Sequence, residues 1–282
     1  MSTFINAYAK INLTLDITGK REDGYHLMRM VMQSVSLCDR LTLTQGEPGI
    51  HIRCGRVGVP CNESNTAYKA AAAFFAFSGT EPRITIEIQK NIPSRAGLGG
   101  GSADAAAVLH ALNGMYGTGY SLETLCEIGV KAGADVPFCI LGGTALAEGI
   151  GERLTVLPPL PHCYVVICKP PVGINTKKAF ALVDSSKVTD TFSDAMLRAV
   201  HAGDIRAVAE SLGNDFEQVL HLEDVTRIKQ LMKSMGALGA CMTGSGSAVY
   251  GIFDDAAAAA ACKASLKKEY YKVFLCEPVH QI

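Results

Sequence analysis

The sequence predicts an α/β protein of two domains, and three observations carry that expectation. The chain has 282 residues, enough for two units of roughly 100–200 residues each. Residues 84–113 read as strand, glycine-rich loop and helix. The composition then shifts at Leu154 to Pro161, where PPLP marks a junction. The expected domains are therefore residues 1–157 and 158–282.

Taken in order, residues 3–18 predict one long strand or a bent pair, with Phe4, Ile11, Leu13, Leu15 and Ile17 as its apolar positions. Residues 19–26, GKREDGYH, form a polar turn before strand-like composition returns at Leu27 to Leu37. Further strands are expected at 41–44 and 50–53, then a helix over 65–77 that Asn65 could cap. Ile84, Ile86 and Ile88 alternate with polar residues, the period of a strand with one buried face. The alanines, Val108, Leu109 and Leu112 suit a packed helix over 102–113. A second helix runs from Ser121 to Lys131 and stops at Gly133. Glu148 and the GIGE that follows read as a strand-end turn. In the second half, Tyr164 to Cys168 is a buried strand, and Pro170, Pro171 and Gly173 break the chain before a helix near Thr176. Helical patterns follow at 191–201, 205–211, 215–221 and 225–235. Short strands at 238–243 and 247–253 frame GSGS, and an alanine-rich helix over 254–268 precedes a last strand at 273–275.

The balance of 26 basic against 27 acidic residues gives no global field to draw the protein onto nucleic acid or anionic lipid. A small-molecule partner is expected, with neither nucleic acid nor membrane. No apolar run approaches the ~20 residues that span a bilayer, and the N-terminal stretch lacks the regions of a signal peptide, so the expected location is cytoplasmic. The ten cysteines contain no C-x-x-C pair, and most sit in apolar surroundings, which argues for reduced, structural thiols rather than a metal knuckle.

The stretch PSRAGLGGGSADAAA, residues 93–107, is built to approach an anion. Its glycines permit positive φ and close backbone approach, and the free amides and dipole of the following helix favour phosphate. It is not a Walker A loop, since Ser102 and Ala103 stand where Lys-Ser or Lys-Thr would follow. A tight connection without ligand is the alternative reading. Three polar positions elsewhere stand out. Lys10 interrupts an apolar strand and is flanked by Asn6 and Asn12, residues depleted in strands unless something needs their amides; a lysine snorkelling to water is the alternative. Tyr25 and His26 offer a ring face and hydrogen-bonding edges suited to a nucleobase, or simply close a hairpin. Asp135 precedes a proline and an apolar run, where an ordinary loop or cap aspartate would also fit.

AYAKINLTLDITGKREDGYH at the start, the central glycine stretch and CMTGSGSAVYGIF near the end together resemble the GHMP kinases over nearly the whole chain. AKINL followed by DGYH is most similar to the branch acting on a cytidine diphosphate substrate. The resemblance implies a domain like ribosomal protein S5 followed by a ferredoxin-like one, and ATP-dependent phosphorylation of the 2-hydroxyl of a diphosphocytidyl-methylerythritol. It implies that the loop residues Pro93, Ser94, Arg95, Ala96, Gly97, Leu98, Gly99, Gly100, Gly101, Ser102 and Ala103 surround ATP, with Ser102 near Mg²⁺. It further implies Lys10 and Asp135 as the catalytic pair, Tyr25, His26 and Phe180 around cytosine, and Asn12 and Thr176 near the methylerythritol. Gly244 to Ser247 would support the active-site loops. The chain departs from the family loop at Ser94 and Arg95, where an apolar residue and a further glycine are common, so a bulkier nucleotide-facing surface is expected. A homoserine- or mevalonate-type kinase, a nucleotide sensor without turnover and an RNA-binding module are the competing readings. Monomer and homodimer are both compatible with the sequence.

Overall fold

The structure, a computed structural model, describes residues 1–186 and 191–280. The chain opens with two long strands, β1 (Ser2–Lys20) and β2 (His26–Gln45), followed by β3 (Gly49–Arg53), α1 (Thr66–Ser78), β4 (Arg83–Gln89) and α2 (Gly100–Met115). Next come α3 (Leu122–Gly129), α4 (Val136–Leu141), β5 (Thr144–Gly149) and β6 (Arg153–Val156). The second half contains β7 (Tyr164–Lys169), α5 (Thr176–Asp184), α6 (Ser193–Ala202), α7 (Ile205–Glu210), β8 (Gly213–Asn214) and α8 (Asp215–Val219). It ends with α9 (Glu223–Ser234), β9 (Gly239–Met242), β10 (Val249–Phe253), α10 (Ala256–Leu266) and β11 (Lys272–Cys276).

Two sheets organise these elements. The first has the order β3-β4-β2-β1-β8, with β5 paired to β2 and β6 to β5. Strand β2 can serve two neighbours because of its length: residues 40–45 pair with β4, and residues 28–33 with β5. The expected break between Leu37 and Leu41 is absent; β2 runs through it, and the ladder with β1 absorbs the irregularity as register shifts at Tyr8/Ala9, Asn12/Thr14 and Ile17/Gly19. The second sheet is antiparallel with order β11-β7-β10-β9. Its β-α-β-β-α-β connectivity is the ferredoxin-like arrangement implied by the resemblance.

In β1, Ala7, Ala9, Ile11 and Leu13 pack into the core, while Lys10 and Asn12 are buried on the other face, that of the site; past the register shift at Asn12/Thr14, Leu15 lines the same cavity as those two. That second face is covered because the chain returns from the far half to lie on it. Short parallel pairing joins Thr14 and Leu15 to Gly213 and Asn214, and Ile17 N–H donates to Asp215. Phe4, expected to be an apolar core position, is 61% exposed, because it lies before the stretch of β1 that α2 and the second half cover. Alanines on α1 and α2, among them Ala67, Ala70, Ala71 and Ala105, let both helices approach closely with Phe74 buried between them and the sheet. Helix α4 and the strands β5 and β6 escaped the sequence reading. Helix α4 is only six residues long with proline in its first turn, and β5 and β6 form a hairpin where a turn alone was expected. The ten cysteines are free thiols, and no described helix is long and apolar enough to cross a membrane.

Candidate active site

The N-cap of helix α2 is Gly99, whose φ of 67° is left-handed and which offers no side chain to cap the helix. The first amides of a helix have no partner within it, so this end is left open to an anion. The loop before it is clamped from two sides. Lys10 N–H donates to the Leu98 carbonyl at 3.1 Å and Ala248 N–H to the Ala96 carbonyl at 3.2 Å. A β-carbon on Gly99 would lie 2.9 Å from Cγ of Lys10, so the lysine stem packs directly on the loop. Arg95 holds φ at 52°, a conformation that costs a residue with a β-carbon about 1–2 kcal/mol.

Lys10 and Asn12 share one face of β1, two residues apart. The Lys10 ammonium donates to Asn12 Oδ1 at 2.6 Å and lies 3.5 Å from Asp135 Oδ2. Thr243, just before the second glycine motif, ties this pair to the loop: its hydroxyl receives Asn12 N–H at 3.0 Å and lies 3.2 Å from the Gly97 carbonyl. The Tyr250 hydroxyl donates to the Asn12 carbonyl at 2.8 Å. Asp135 sits in the N-cap position of α4 but makes no capping bond, so its carboxylate is directed to Lys10 and, being 32% exposed, to the space in front of it. Asn6 takes no part; it reaches toward the Tyr8 hydroxyl instead.

Three cavities follow one another. The first, about 290 Å³, is lined by residues 93–101 together with Asn65 and Thr66. It shares Arg95, Gly97 and Gly99 with a second of about 300 Å³ that contains Lys10, Asn12 and Asp135. The second shares Met28, Thr176 and Phe180 with a third of about 560 Å³, lined by Tyr25 and His26. In that last cavity His26 and Phe180 stack on each other, with centroids 4.3 Å apart and planes 15° from parallel. His26 Nε2 is bonded to Asp184 at 2.6 Å, and Lys20 reaches the same carboxylate. The hydrogen bonds from Lys20 and His26 hold Asp184 below the usual carboxylate range. Tyr25 is 59% exposed at the rim. Thr176 starts α5 and shares a 2.8 Å hydrogen bond with Ser245. Ser102 lies apart from the cavities' walls; its hydroxyl is 3.9 Å from where a β-carbon on Gly133 would stand.

Residues 65–143 match the N-terminal domain of the GHMP kinases, and residues 196–272 match their C-terminal domain. The chain is a GHMP kinase. A relative from Clostridium beijerinckii, named 4-diphosphocytidyl-2-C-methyl-D-erythritol kinase, is 43% identical over 98% of this chain and 99% of its own length. A namesake from Caldicellulosiruptor saccharolyticus is 45% identical over 88% and 87% of the two chains. The crystal structure of a 4-(cytidine 5'-diphospho)-2C-methyl-D-erythritol kinase superposes with a TM-score of 0.83 at 32% identity, over 98% of this chain and 99% of that one. A homoserine kinase from Cytophaga hutchinsonii, at 20% identity, 99% and 95% coverage and TM-score 0.79, shares the fold. This chain is thus an ATP-dependent small-molecule kinase.

Behind this kinase's glycine loop lies a buried charge cluster that the sequence reading passed over. The Lys90 ammonium donates to Asp39, to Asp104 at 2.7 Å and to the Gly100 carbonyl at 3.2 Å, while Asp39 also accepts the Asn91 and Ile92 amides. A lone acid inside the alanine run of α2 was the available signal. Asp104 Oδ1 has no partner, and burial pushes this carboxyl up to about 8 against the opposing pull of Lys90. An unfolded aspartate titrates near ~3.9. Between these values the folded protein holds a proton the unfolded chain has lost, so this group's contribution to stability falls as pH rises from about 4 to about 8. Asp104→Asn, neutral in both states, is expected to remove that slope from urea unfolding measured at pH 5 and pH 8. An unchanged slope would mean that Asp104 is ionised at neutral pH.

The donor set for a cation is sparse. Among the described residues no group of three His, Cys, Asp or Glu could hold a metal, Asp104 is sealed against Lys90 and Asp135 faces Lys10. The Ser102 hydroxyl remains. Because Ser102 is set back from the cavity walls, a Mg²⁺ here would depend chiefly on substrate phosphates and water, as that ion commonly does.

Proposed function

We propose that this kinase transfers the γ-phosphoryl group of ATP to the 2-hydroxyl of 4-diphosphocytidyl-2-C-methyl-D-erythritol, giving the 2-phosphate and ADP on the non-mevalonate route to isoprenoid precursors. The supporting observation is the serial arrangement of cavities: a glycine loop suited to phosphates, then Lys10 and Asp135, then an aromatic recess. A donor and a base-bearing acceptor entering from opposite ends would meet at the central pair.

In this reading Asp135 accepts the hydroxyl proton as the acceptor oxygen bonds to the γ-phosphorus and the bond to the bridging oxygen breaks, the electron pair leaving with ADP. Lys10, 3.5 Å from that carboxylate, orients it and stabilises charge near the transferring group. The loop from Pro93 to Ala103 and the open end of α2 orient the polyphosphate, replacing the missing Walker lysine. Mg²⁺ held by ATP, water and Ser102 would neutralise phosphate charge. Asn12 and Thr176 line the space for the methylerythritol. Because His26 and Phe180 already face each other, the base has no room between them; Tyr25 supplies the free face, and Asp184 fixes the imidazole edge.

The deciding assay incubates the protein with ATP, Mg²⁺ and the cytidine substrate and follows ADP together with product mass. A gain of one phosphoryl group supports the proposal. ADP release with homoserine or mevalonate alone would overturn the substrate, and bound ATP without turnover would favour a sensor. Tyr25→Ala is expected to raise KM for the cytidine substrate about tenfold, within the ~1–3 kcal/mol of one base stack, with KM for ATP unchanged. An effect confined to ATP would reverse the assignment of the two ends.

A further inference from the structure

Arg95 stands where the family loop commonly has glycine, and it is the one non-glycine residue with positive φ among the described residues. Its backbone strain has no return in the protein's own packing. The side chain is exposed and belongs to none of the ion pairs among the described residues, and its Cδ lies 3.9 Å from where a β-carbon on Gly173 would be. Strain that the fold does not repay is commonly held at a functional position.

The location is specific. Arg95, Gly97 and Gly99 are the residues common to the glycine-loop cavity and the Lys10–Asp135 cavity, so Arg95 supplies the sole side chain shared by both. Three cations line these cavities: Lys10, Lys90 and Arg95. Lys10 is engaged by Asp135 and Asn12, and Lys90 by Asp39 and Asp104. Of the three, Arg95 alone belongs to no ion pair among the described residues, and it is the residue with a side chain at which the two cavities meet.

We infer that Arg95 is a catalytic residue of this enzyme, its guanidinium contacting the γ-phosphoryl group as that group passes between the bridging oxygen of ADP and the acceptor oxygen. The inference rests on the phosphoryl-transfer reading above and adds to it a cation built into the loop itself, in the role that an arginine finger fills elsewhere. The contact forms with the charge that spreads over the equatorial oxygens in the transition state, so the loss on removal belongs in kcat.

The test uses three variants of the full chain. Arg95→Gly should lower kcat about 10- to 100-fold with KM for ATP changed less than about threefold, while raising Tm by about 2 °C as the left-handed strain is relieved. Arg95→Ala keeps a β-carbon at that φ; it should lose the same kcat without the gain in Tm. Arg95→Lys should recover part of kcat. A merely structural residue would not separate activity from stability in opposite directions. The inference is overturned if kcat of both the glycine and alanine variants stays within about twofold of the parent, if only KM for ATP responds, or if Arg95→Lys recovers nothing. Acceptor-independent ATP hydrolysis, with water taking the γ-phosphoryl group, is measured on the same variants. Loss there with a silent cytidine substrate would discard the substrate assignment and leave Arg95 in its role; no loss in either reaction would discard Arg95.

Discussion

Replacing Asp135 with asparagine is expected to lower kcat by about two to four orders of magnitude, the range of general acid–base catalysis, while leaving KM for ATP nearly unchanged. Asparagine keeps the size of the side chain but cannot take the proton that the attacking hydroxyl must lose. The fold has little reason to suffer, since Asp135 makes no capping bond to α4 and is partly exposed. Lys10, almost fully buried, retains Asn12 Oδ1 at 2.6 Å but loses its carboxylate partner, so a small drop in Tm should accompany the kinetic loss. ATP binding is insulated because Asp135 is absent from the glycine-loop cavity. Equal losses in kcat and kcat/KM would mark an interaction made in the transition state alone. A kcat within a factor of about three of the parent would remove Asp135 from the role of base.

How much of this site could be read before folding depends on what each residue needs as a partner. The anion-binding end of α2 was legible because strand, glycines and helix are contiguous, and local conformation alone opens the amides. Lys10 and Asp135 stood out as odd charges, yet nothing local joins residues 125 positions apart; only the family resemblance paired them, and the fold brings them to 3.5 Å. Asp184 was invisible, since its meaning lies wholly in reaching His26 across 158 positions. Thr243 was hidden beside the glycines that drew attention to its motif, and its hydroxyl matters only once β1 and the loop converge on it. Arg95 shows the opposite case. Its departure from glycine was plain in the sequence, but the backbone angle that makes the departure costly, and the two cavities that meet at it, belong to the tertiary structure.

Gly97→Ala is the second large effect, and it separates the clamp on the loop from the chemistry in front of it. Gly97 holds φ at 76°, and a β-carbon there would lie 2.0 Å from the Thr243 carbonyl oxygen and 2.8 Å from its carbon. Those are backbone atoms that cannot swing aside. Thr243 accepts Gly246 N–H at 3.0 Å, donates its own N–H to Ala248 at 3.0 Å, and holds Asn12 and Gly97 through its hydroxyl. Left-handed strain of about 1–2 kcal/mol and overpacking of about 1–3 kcal/mol together predict a loss of roughly 2–5 kcal/mol, or a fall in Tm of about 4–20 °C at about 2–4 °C per kcal/mol. Displacing the loop also moves the surface on which the Lys10 stem rests, so kcat should fall along with ATP affinity. The matched control is Gly114→Ala near the end of α2, where nothing lies within 4 Å of the new carbon and φ is not positive; there the same substitution should stabilise by about 0.5–1 kcal/mol with activity unchanged. Opposite signs from one chemical change would locate the constraint at the Gly97–Thr243 contact. If Gly97→Ala keeps Tm within about 2 °C of the parent, the two glycine motifs are not held against each other, and the alignment of Lys10 with the phosphate loop needs another cause.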